Sequence, residues 1–272
     1  MKQLRDRVAV ITGAGSGIGR GLSRALAAEG CHLALIDVDA ARLDAVKAEL
    51  ADSDRRVTTY VVDVADRAAM QALPDRVVAD HGAVHIVVNN AGVTVVGEIE
   101  TQSMEDLDWI FGINFWGVLY GCKFFIPILK QQEEGHIVNL SSMFGLIGLP
   151  TQGAYCATKA AVRSLSETLN AELAETNVRV TSVHPGGIRT NIAADARFGE
   201  EVADERQELT EFFDKLRVSP DHAAKRIVGA IKRGDARLLI CAETYATDWL
   251  KRLFPVGVTR LVNRLARNRA LA

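Results

Sequence analysis

The chain has 272 residues, of which 48% are hydrophobic and 24% charged, with a formal net charge of −2. This supplies apolar material for a sizeable core and argues against a disordered or fibrous chain, and a balance so near neutral gives no reason to expect nucleic acid as a partner. The four cysteines, Cys31, Cys122, Cys156 and Cys241, lie far apart with no Cys-x-x-Cys pair, so neither a disulfide framework nor a zinc site is indicated.

Met1 to Arg7 is polar and runs straight into an apolar segment. No signal-peptide pattern is present and no apolar stretch reaches the roughly 18 residues of a membrane span, which predicts a cytoplasmic location. Short β-branched runs then recur at Val8–Thr12, Leu33–Asp37, Val57–Val62, His85–Asn89, His136–Ser141, Val178–His184 and Arg237–Cys241. Helical patterns alternate with them at about 17–29, 40–51, 66–81, 103–131, 153–176 and 220–233. The alternation predicts an α/β fold: one Rossmann-type domain over residues 1–244, with a doubly wound parallel sheet of seven strands and helices on both faces. His81 and His85 are the only close pair of histidines, and Gly82 between them argues against the helix that would present both to a metal. No metal site is expected.

Two segments break the rhythm. Residues 190–218 read as an insertion after the sixth strand; within it, 195–214 carry eight acids against Arg197 and Arg206, with Leu209, Phe212, Phe213 and Leu216 as an apolar stripe. An amphipathic helix there would lie at the carboxyl end of the sheet, where such folds place ligands, and could cover a pocket. The tail, 245–272, has no acid after Asp248 and six basic residues, Lys251, Arg252, Arg260, Arg264, Arg267 and Arg269. All 34 acids and the other 26 basic residues precede them. Trp249, Leu250, Leu253, Phe254, Val258, Leu261, Val262 and Leu265 interleave at roughly helical spacing, broken at Pro255 and Gly257. Such a segment can dock on the acidic body of its own or a neighbouring subunit, or lie on an anionic membrane surface. Either arrangement satisfies the same charges, and docking is only slightly favoured.

The first strand feeds Thr12-Gly13-Ala14-Gly15-Ser16-Gly17-Ile18-Gly19, which opens the first helix. Glycines there permit a sharp turn and a close approach to a pyrophosphate, which the helix N-terminus attracts. Gly13, Ser16, Gly17, Ile18 and Gly19 are the candidate contacts. Asp37 ends the second strand, 18 positions after Gly19. A carboxylate there can accept from the adenosine ribose hydroxyls and would repel a 2′-phosphate, and no Lys or Arg lies between Gly13 and Gly19 to offset it. NAD is therefore expected over NADP.

Tyr155 and Lys159 lie four apart, about one helical turn, so both face the same way. An ammonium near a phenol favours the phenolate, and the pair can move a proton to or from an alcohol oxygen. With these motifs in this order, the chain resembles the short-chain dehydrogenase/reductase family over nearly its whole length. The resemblance adds Asp63 and Val64 beside the adenine, Asn90, Ala91 and Gly92 along the cofactor cleft, and Pro185, Gly186, Ile188 and Thr190 on the nicotinamide side. It also adds Asn114 in the long helix and Ser142, which precedes Tyr155 by 13 residues.

The family's chemistry, hydride exchange between a nicotinamide cofactor and an alcohol or carbonyl, is what the resemblance implies. Tyr155 would be the acid/base; Lys159 would stabilise its phenolate and bond the nicotinamide ribose; Ser142 would donate to the substrate oxygen. Ser141 is its neighbour and competitor. Asn114 would hold a water linking Lys159 to solvent. Candidate pocket residues are Ser142, Phe144, Tyr155 and Gly187, with Val93, Thr94, Met143, Leu146 and Leu149 nearby, and their mostly apolar character suits a lipophilic secondary alcohol or ketone. A homodimer or homotetramer is implied, with the Tyr155 helix and the preceding long helix at an interface. Two alternatives stand beside this: a cofactor-binding sensor or scaffold without catalysis, and a membrane-peripheral lipid or steroid dehydrogenase whose tail governs substrate access.

Overall fold

The computed structural model describes residues 1–190, 192, 194–199, 202, 206–207, 211, 215–260 and 264. Its strands are β1 (Val8–Thr12), β2 (His32–Asp37), β3 (Val57–Val61), β4 (Ile86–Asn89), β5 (Val95–Val96), β6 (Gly135–Leu140), β7 (Val178–His184), β8 (Arg197–Phe198) and β9 (Arg237–Leu239). Its helices are α1 (Gly17–Ala28), α2 (Ala40–Glu49), α3 (Arg67–His81), α4 (Met104–Phe111), α5 (Gly117–Leu129), α6 (Gly153–Glu172), α7 (Pro220–Arg233) and α8 (Ala242–Leu253). Seven strands form one sheet in the order β3-β2-β1-β4-β6-β7-β9, every pair parallel.

Strands buried on both faces need apolar residues at every position, and β1 and β4 are buried throughout. Alternate residues serve opposite sides. Ala9, Ile11, Leu33 and Leu35 pack with Leu22, Leu26, Leu43 and Ile227 under α1, α2 and α7. Val8, Val10, Ala34 and Ile36 pack with Leu73, Val118, Phe125 and Val162 under α3, α5 and α6. The doubly wound layers are those expected. Helix starts are set by local chemistry: Asp39, Asp66, Ser103 and Ser219 cap α2, α3, α4 and α7 through their side chains. Gly82 and Gly234 end α3 and α7 in the left-handed region, at φ 81° and 73°.

The sheet order reverses between β1 and β4, both of which begin connections leading to opposite sides. This is the switch point at which open α/β sheets leave a crevice beyond their carboxyl ends. The segments that follow these strands, the glycine turn and Asn90-Ala91-Gly92, therefore line one cleft.

Helices α4 and α5 join through a π-turn, Gly112–Trp116, into a run over Met104–Leu129. By length and composition alone that run could cross a membrane, where the sequence had suggested no such stretch. Its packing is that of a core helix: Val118, Cys122, Phe125 and Leu129 are buried against the sheet. Gly121 lets it approach β4, since a Cβ there would collide with the Asn89 side chain. Asn89 belongs to a buried network, donating to Asn139 Oδ1 at 2.8 Å while Asn139 donates to Ser166 Oγ at 3.0 Å. The outer face of the run carries stacked Trp116, Tyr120 and Phe124 rings, with centroids 5.9 and 5.8 Å apart.

Two features fall outside the expected rhythm. Strands β5 and β8 pair in parallel through Val95↔Arg197 and Val96↔Phe198, so the insertion is tied back beside the cleft. The amphipathic helix expected at 195–214 falls mostly on residues outside those described. Helix α8 starts at Ala242, across the boundary at 244, and turns its polar side to the body: Thr244 is buried, and Asp248 receives two bonds from Arg237 at 2.6 and 2.9 Å. Its apolar residues face outward, whereas docking on the body would have turned them in.

Candidate active site

The glycine turn is braced from β4. Asn90 Nδ2 donates to the Thr12 and Gly13 carbonyls at 2.9 and 3.1 Å, and Asn90 N and Ala91 N donate to Thr12 Oγ1, each at 3.0 Å. Gly13 and Gly17 take φ of 61° and 50°, where a side chain would be strained. Ser16 caps α1 with its hydroxyl unengaged by the helix, and the first turn contains no acid. Asp37 Oδ2 accepts from Gly15 N at 2.8 Å and Oδ1 from Asp39 N at 3.1 Å, which leaves lone pairs on both oxygens. Free N–H groups, a free hydroxyl and a partly buried carboxylate suit the pyrophosphate and ribose of a dinucleotide; the glycine turn and Ser16 line a cleft of about 430 Å³ together with Arg42, Arg189 and Thr190. Thr190 lies directly over Gly17, its Cγ2 3.3 Å from where a Cβ would stand.

Across the cleft, α6 presents Tyr155 and, one turn on, Lys159. Lys159 is only 3% exposed, and its Nζ donates to the Leu140 carbonyl at 3.0 Å and lies 5.7 Å from the Tyr155 ring centroid. Burial pushes the ammonium down to about 8. Burial also pushes the Tyr155 phenol up to about 12, opposed by a hydrogen bond with Ser142. The sequence had suggested a lowered phenol. The ammonium is turned toward the Leu140 carbonyl, so desolvation outweighs it. Gly92 closes the gap: a Cβ there would stand 3.2 Å from Lys159 Nζ and 3.4 Å from Asn114 Oδ1.

Ser141 and Ser142 point apart, as successive extended residues do. Ser141 Oγ donates to the Lys159 carbonyl at 2.8 Å, so it is occupied in anchoring α6. Ser142 Oγ accepts from Phe144 N at 3.1 Å and meets the phenol, whose ring the Phe144 edge also abuts at 6.3 Å and 84°. Asn114 is fully buried on the π-turn, accepting from Val93 N at 2.8 Å and donating to Val93 O at 2.9 Å. Thus Asn114, Ser142, Tyr155 and Lys159 converge. Of the remaining candidates, Asp63 is exposed and accepts from Ala65 N at 2.9 Å, while Val64 packs against Gly117. The Pro185 carbonyl accepts from Met143 N at 2.8 Å, Gly186 N donates to Ile240 O at 3.2 Å, and Ile188 is buried beside Val218.

Several supporting residues escaped the sequence reading. His184, just before Pro185-Gly186, lies beneath the site with Nδ1 3.2 Å from the Ser142 carbonyl and Nε2 3.1 Å from Ser182 Oγ. A carbonyl only accepts, so Nδ1 carries the proton and Nε2 accepts from Ser182. The common parity of Ser182 and His184 on β7 was the available signal. Glu243 on α8 accepts from Gly187 N at 3.0 Å, and Gln152 accepts at 3.0 Å from Thr94, which the sequence had placed near the pocket. Arg42 is bidentate to Asp195 at 3.0 and 3.2 Å, linking the insertion to the ribose end of the cleft.

Burial pushes His85 and His184 down to about 4 and His136 to about 3. Each is depressed in the folded state, so the unfolded chain takes up protons first as pH falls. The stability these neutral rings confer is complete above about pH 6.5, the reference value, and is lost toward pH 4. Urea midpoints measured at pH 7, 5.5 and 4.5 should fall steeply across that window, and His136→Gln should flatten the fall. A midpoint constant over this range would contradict the burial argument.

The geometry defines a class: a dinucleotide cleft at the switch point of a parallel sheet, faced by a phenol, an ammonium and a hydroxyl able to work on one oxygen. The family model for short chain dehydrogenase matches residues 7–201. SadH of Mycobacterium tuberculosis, provisionally an oxidoreductase, is 43% identical over 267 residues, covering 96% of each chain. A short-chain dehydrogenase/reductase from Burkholderia phymatum, solved with NAD, superposes with a TM-score of 0.88 at 33% identity, covering 93% of this chain and 95% of that one. An alcohol dehydrogenase from Thermococcus sibiricus, solved with 5-hydroxy-NADP, gives 0.75 at 27% identity, covering 87% and 96%. The chain belongs to the short-chain dehydrogenase family, and is an oxidoreductase that binds a nicotinamide cofactor.

Proposed function

We propose that the protein is an NAD(H)-dependent enzyme interconverting a lipophilic secondary alcohol and its ketone. The convergence of Ser142, Tyr155 and Lys159 opposite the glycine turn carries this reading. When bound, the nicotinamide supplies the hydride acceptor or donor. Tyr155 takes the hydroxyl proton from the alcohol, or returns one to the ketone oxygen. Ser142 donates to that same oxygen, where negative charge builds as the carbon–oxygen bond changes order. Lys159 lowers the cost of the phenolate, and Asn114, beside Lys159 across Gly92, completes a water path toward solvent. Phe144, Met143 and Leu146 offer apolar walls around the polar focus. A homo-oligomer fits the aromatic row on the Met104–Leu129 run, of which Trp116 is exposed and Tyr120 and Phe124 partly buried, and which would pack beside the outer face of α6 in a second subunit.

NAD is favoured because Asp37 faces the ribose end, and because Arg42, the nearby cation, is held by Asp39 at 3.2 Å and Asp195 at 3.0 Å. The relatives include one solved with NAD and one with an NADP derivative, so the choice rests on these residues. The test is a panel of secondary alcohols and ketones followed at the nicotinamide absorbance with each cofactor. Apolar substrates should turn over, with higher kcat/KM for NAD. Asp37→Ala, which removes like-charge repulsion of a 2′-phosphate, should shift the NAD/NADP ratio toward NADP by roughly tenfold, about 1.4 kcal/mol. An unaltered ratio would sink the assignment of Asp37.

A further inference from the structure

The outward side of α8 is apolar. Tyr245, Trp249, Leu250 and Leu253 are exposed there, followed by Phe254 and Val256 beyond the helix end; Trp249 is 66% and Leu253 63% accessible. Spacings of four place Tyr245, Trp249 and Leu253 along one stripe of the helix, and exposed Phe254 and Val256 follow in the turn after it. Helices on globular proteins turn the opposite way, apolar side in. The other exposed large apolar side chains among the described residues, Val38, Val61, Ile99, Met104 and Trp116, lie on other elements or the loops between them and form no run of this length. A contiguous patch of this kind marks a contact surface.

Charge decides what covers it. Lys251 donates to the Pro255 carbonyl at 2.7 Å and to Thr259 Oγ1 at 2.8 Å, Arg252 pairs with Asp248 at 3.2 Å, and exposed Arg260 and Arg264 have no carboxylate partner among the described residues. A second copy packed across a two-fold axis on this stripe would double the positive charge at the contact, which costs energy. A surface that is apolar inside and negatively charged outside satisfies both features.

We infer that α8 and the turn after it dock on an anionic lipid bilayer. Trp249, Leu253, Phe254 and Val256 enter the interface between headgroups and chains, and Arg260 and Arg264 lie against lipid phosphates. The same helix touches the rim of the active-site cleft: Thr247 Oγ1 is 3.7 Å from Met143 Sδ, and Glu243 holds Gly187. Docking therefore turns the cleft's mouth toward the source of an apolar substrate. That last step rests on the function proposed above; the docking itself does not.

The full-length protein is sedimented with vesicles of phosphatidylglycerol and phosphatidylcholine, and with vesicles of phosphatidylcholine alone. Binding is expected to the anionic vesicles, at least tenfold weaker to the neutral ones, and screened by salt. Trp249→Ser/Leu253→Ser and Arg260→Glu/Arg264→Glu should each lose it at least tenfold while binding NADH as the parent does, so failure of docking and failure of the cofactor site remain distinguishable. Trp249→Phe should keep binding but lose the blue shift of tryptophan emission on vesicles. Absence of binding by the unaltered protein overturns the inference without recourse to any variant. Equal binding by the charge-reversed variant also overturns it, as does a fall in particle mass of the serine variant in the ultracentrifuge, which would make the stripe a contact between copies.

Discussion

Tyr155→Phe is expected to lower kcat/KM for the best alcohol at least 100-fold, with NADH affinity and melting temperature near those of the parent. The variant removes one oxygen. Its ring keeps the edge contact with Phe144 and the position over Lys159 Nζ, so the cleft retains its shape. What disappears is the group that takes the hydroxyl proton, and positioned acid/base groups contribute roughly 10²–10⁴-fold. The parent's rate in the oxidising direction should also climb with pH, because a phenol raised by burial must release a proton before it can accept one. The variant should lack that climb. Turnover equal to the parent would remove Tyr155 from the mechanism. A variant that no longer bound NADH would indicate damage to the cleft instead, and Ser142→Ala, which deletes the neighbouring donor without touching the ring, would then carry the test.

The second large effect concerns Gly19. A methyl group there would run into the Gly13 carbonyl oxygen and stand 2.7 Å from Asn90 Nδ2. Neither can yield cheaply: the first is main chain, and the second is the amide holding the Thr12 and Gly13 carbonyls. Gly19→Ala should therefore push α1 away from the turn. Overpacking of this kind costs about 1–3 kcal/mol, equivalent to a melting temperature lower by roughly 2–4 °C per kcal/mol. NADH affinity should fall at least tenfold, because the N–H groups at the start of α1 lose their aim. Gly148→Ala is the matched control, since a Cβ there meets nothing within 4 Å. Calorimetry and a fluorescence titration on both variants suffice, and a Gly19→Ala protein indistinguishable from Gly148→Ala would refute the close-approach argument.

Much of this architecture could be read from the chain because the signals were local. Val8–Thr12, Gly13–Gly19 and Asp37 stand in strand, turn and strand end in the order that dinucleotide binding requires. All seven central strands were marked by β-branched runs, to within a residue or two. The pair β5 and β8 was not, for two residues are too few to show a period, and their partnership spans about a hundred positions. The outward turn of α8 was invisible for another reason. Helical spacing identifies an apolar stripe but not which side meets the body, and here Arg237 on β9 captures Asp248 and settles it, a pairing that no periodicity marks. Arg42 is a similar case. Absence of basic residues from the glycine turn suggested an uncompensated Asp37, yet a guanidinium from α2 stands beside it, engaged by Asp39 and Asp195. At the catalytic end, Tyr155 and Lys159 stood out by their spacing and Asn114 and Ser142 only through the family resemblance, whereas His184 and Glu243, which hold the loops beneath them, meet the main chain at Ser142 and Gly187 and belong to none of those motifs.

The π-turn at Gly112–Trp116 sets a limit on how far this enzyme can be improved as a material. One surplus residue there departs from the ordinary helical ladder, and a designer seeking heat tolerance would be tempted to delete it. Each residue of an α-helix advances the direction of its side chain by about 100°. Removing one between Gly112 and Asn114 would regularise the helix and swing Asn114 away from Val93 and Lys159, or else rotate the whole of α5 out of register with Asn89 and the sheet. The irregularity lets one continuous rod meet two targets that a perfect helix could not reach together. Stabilising programmes should leave it in place and seek their gains in the caps.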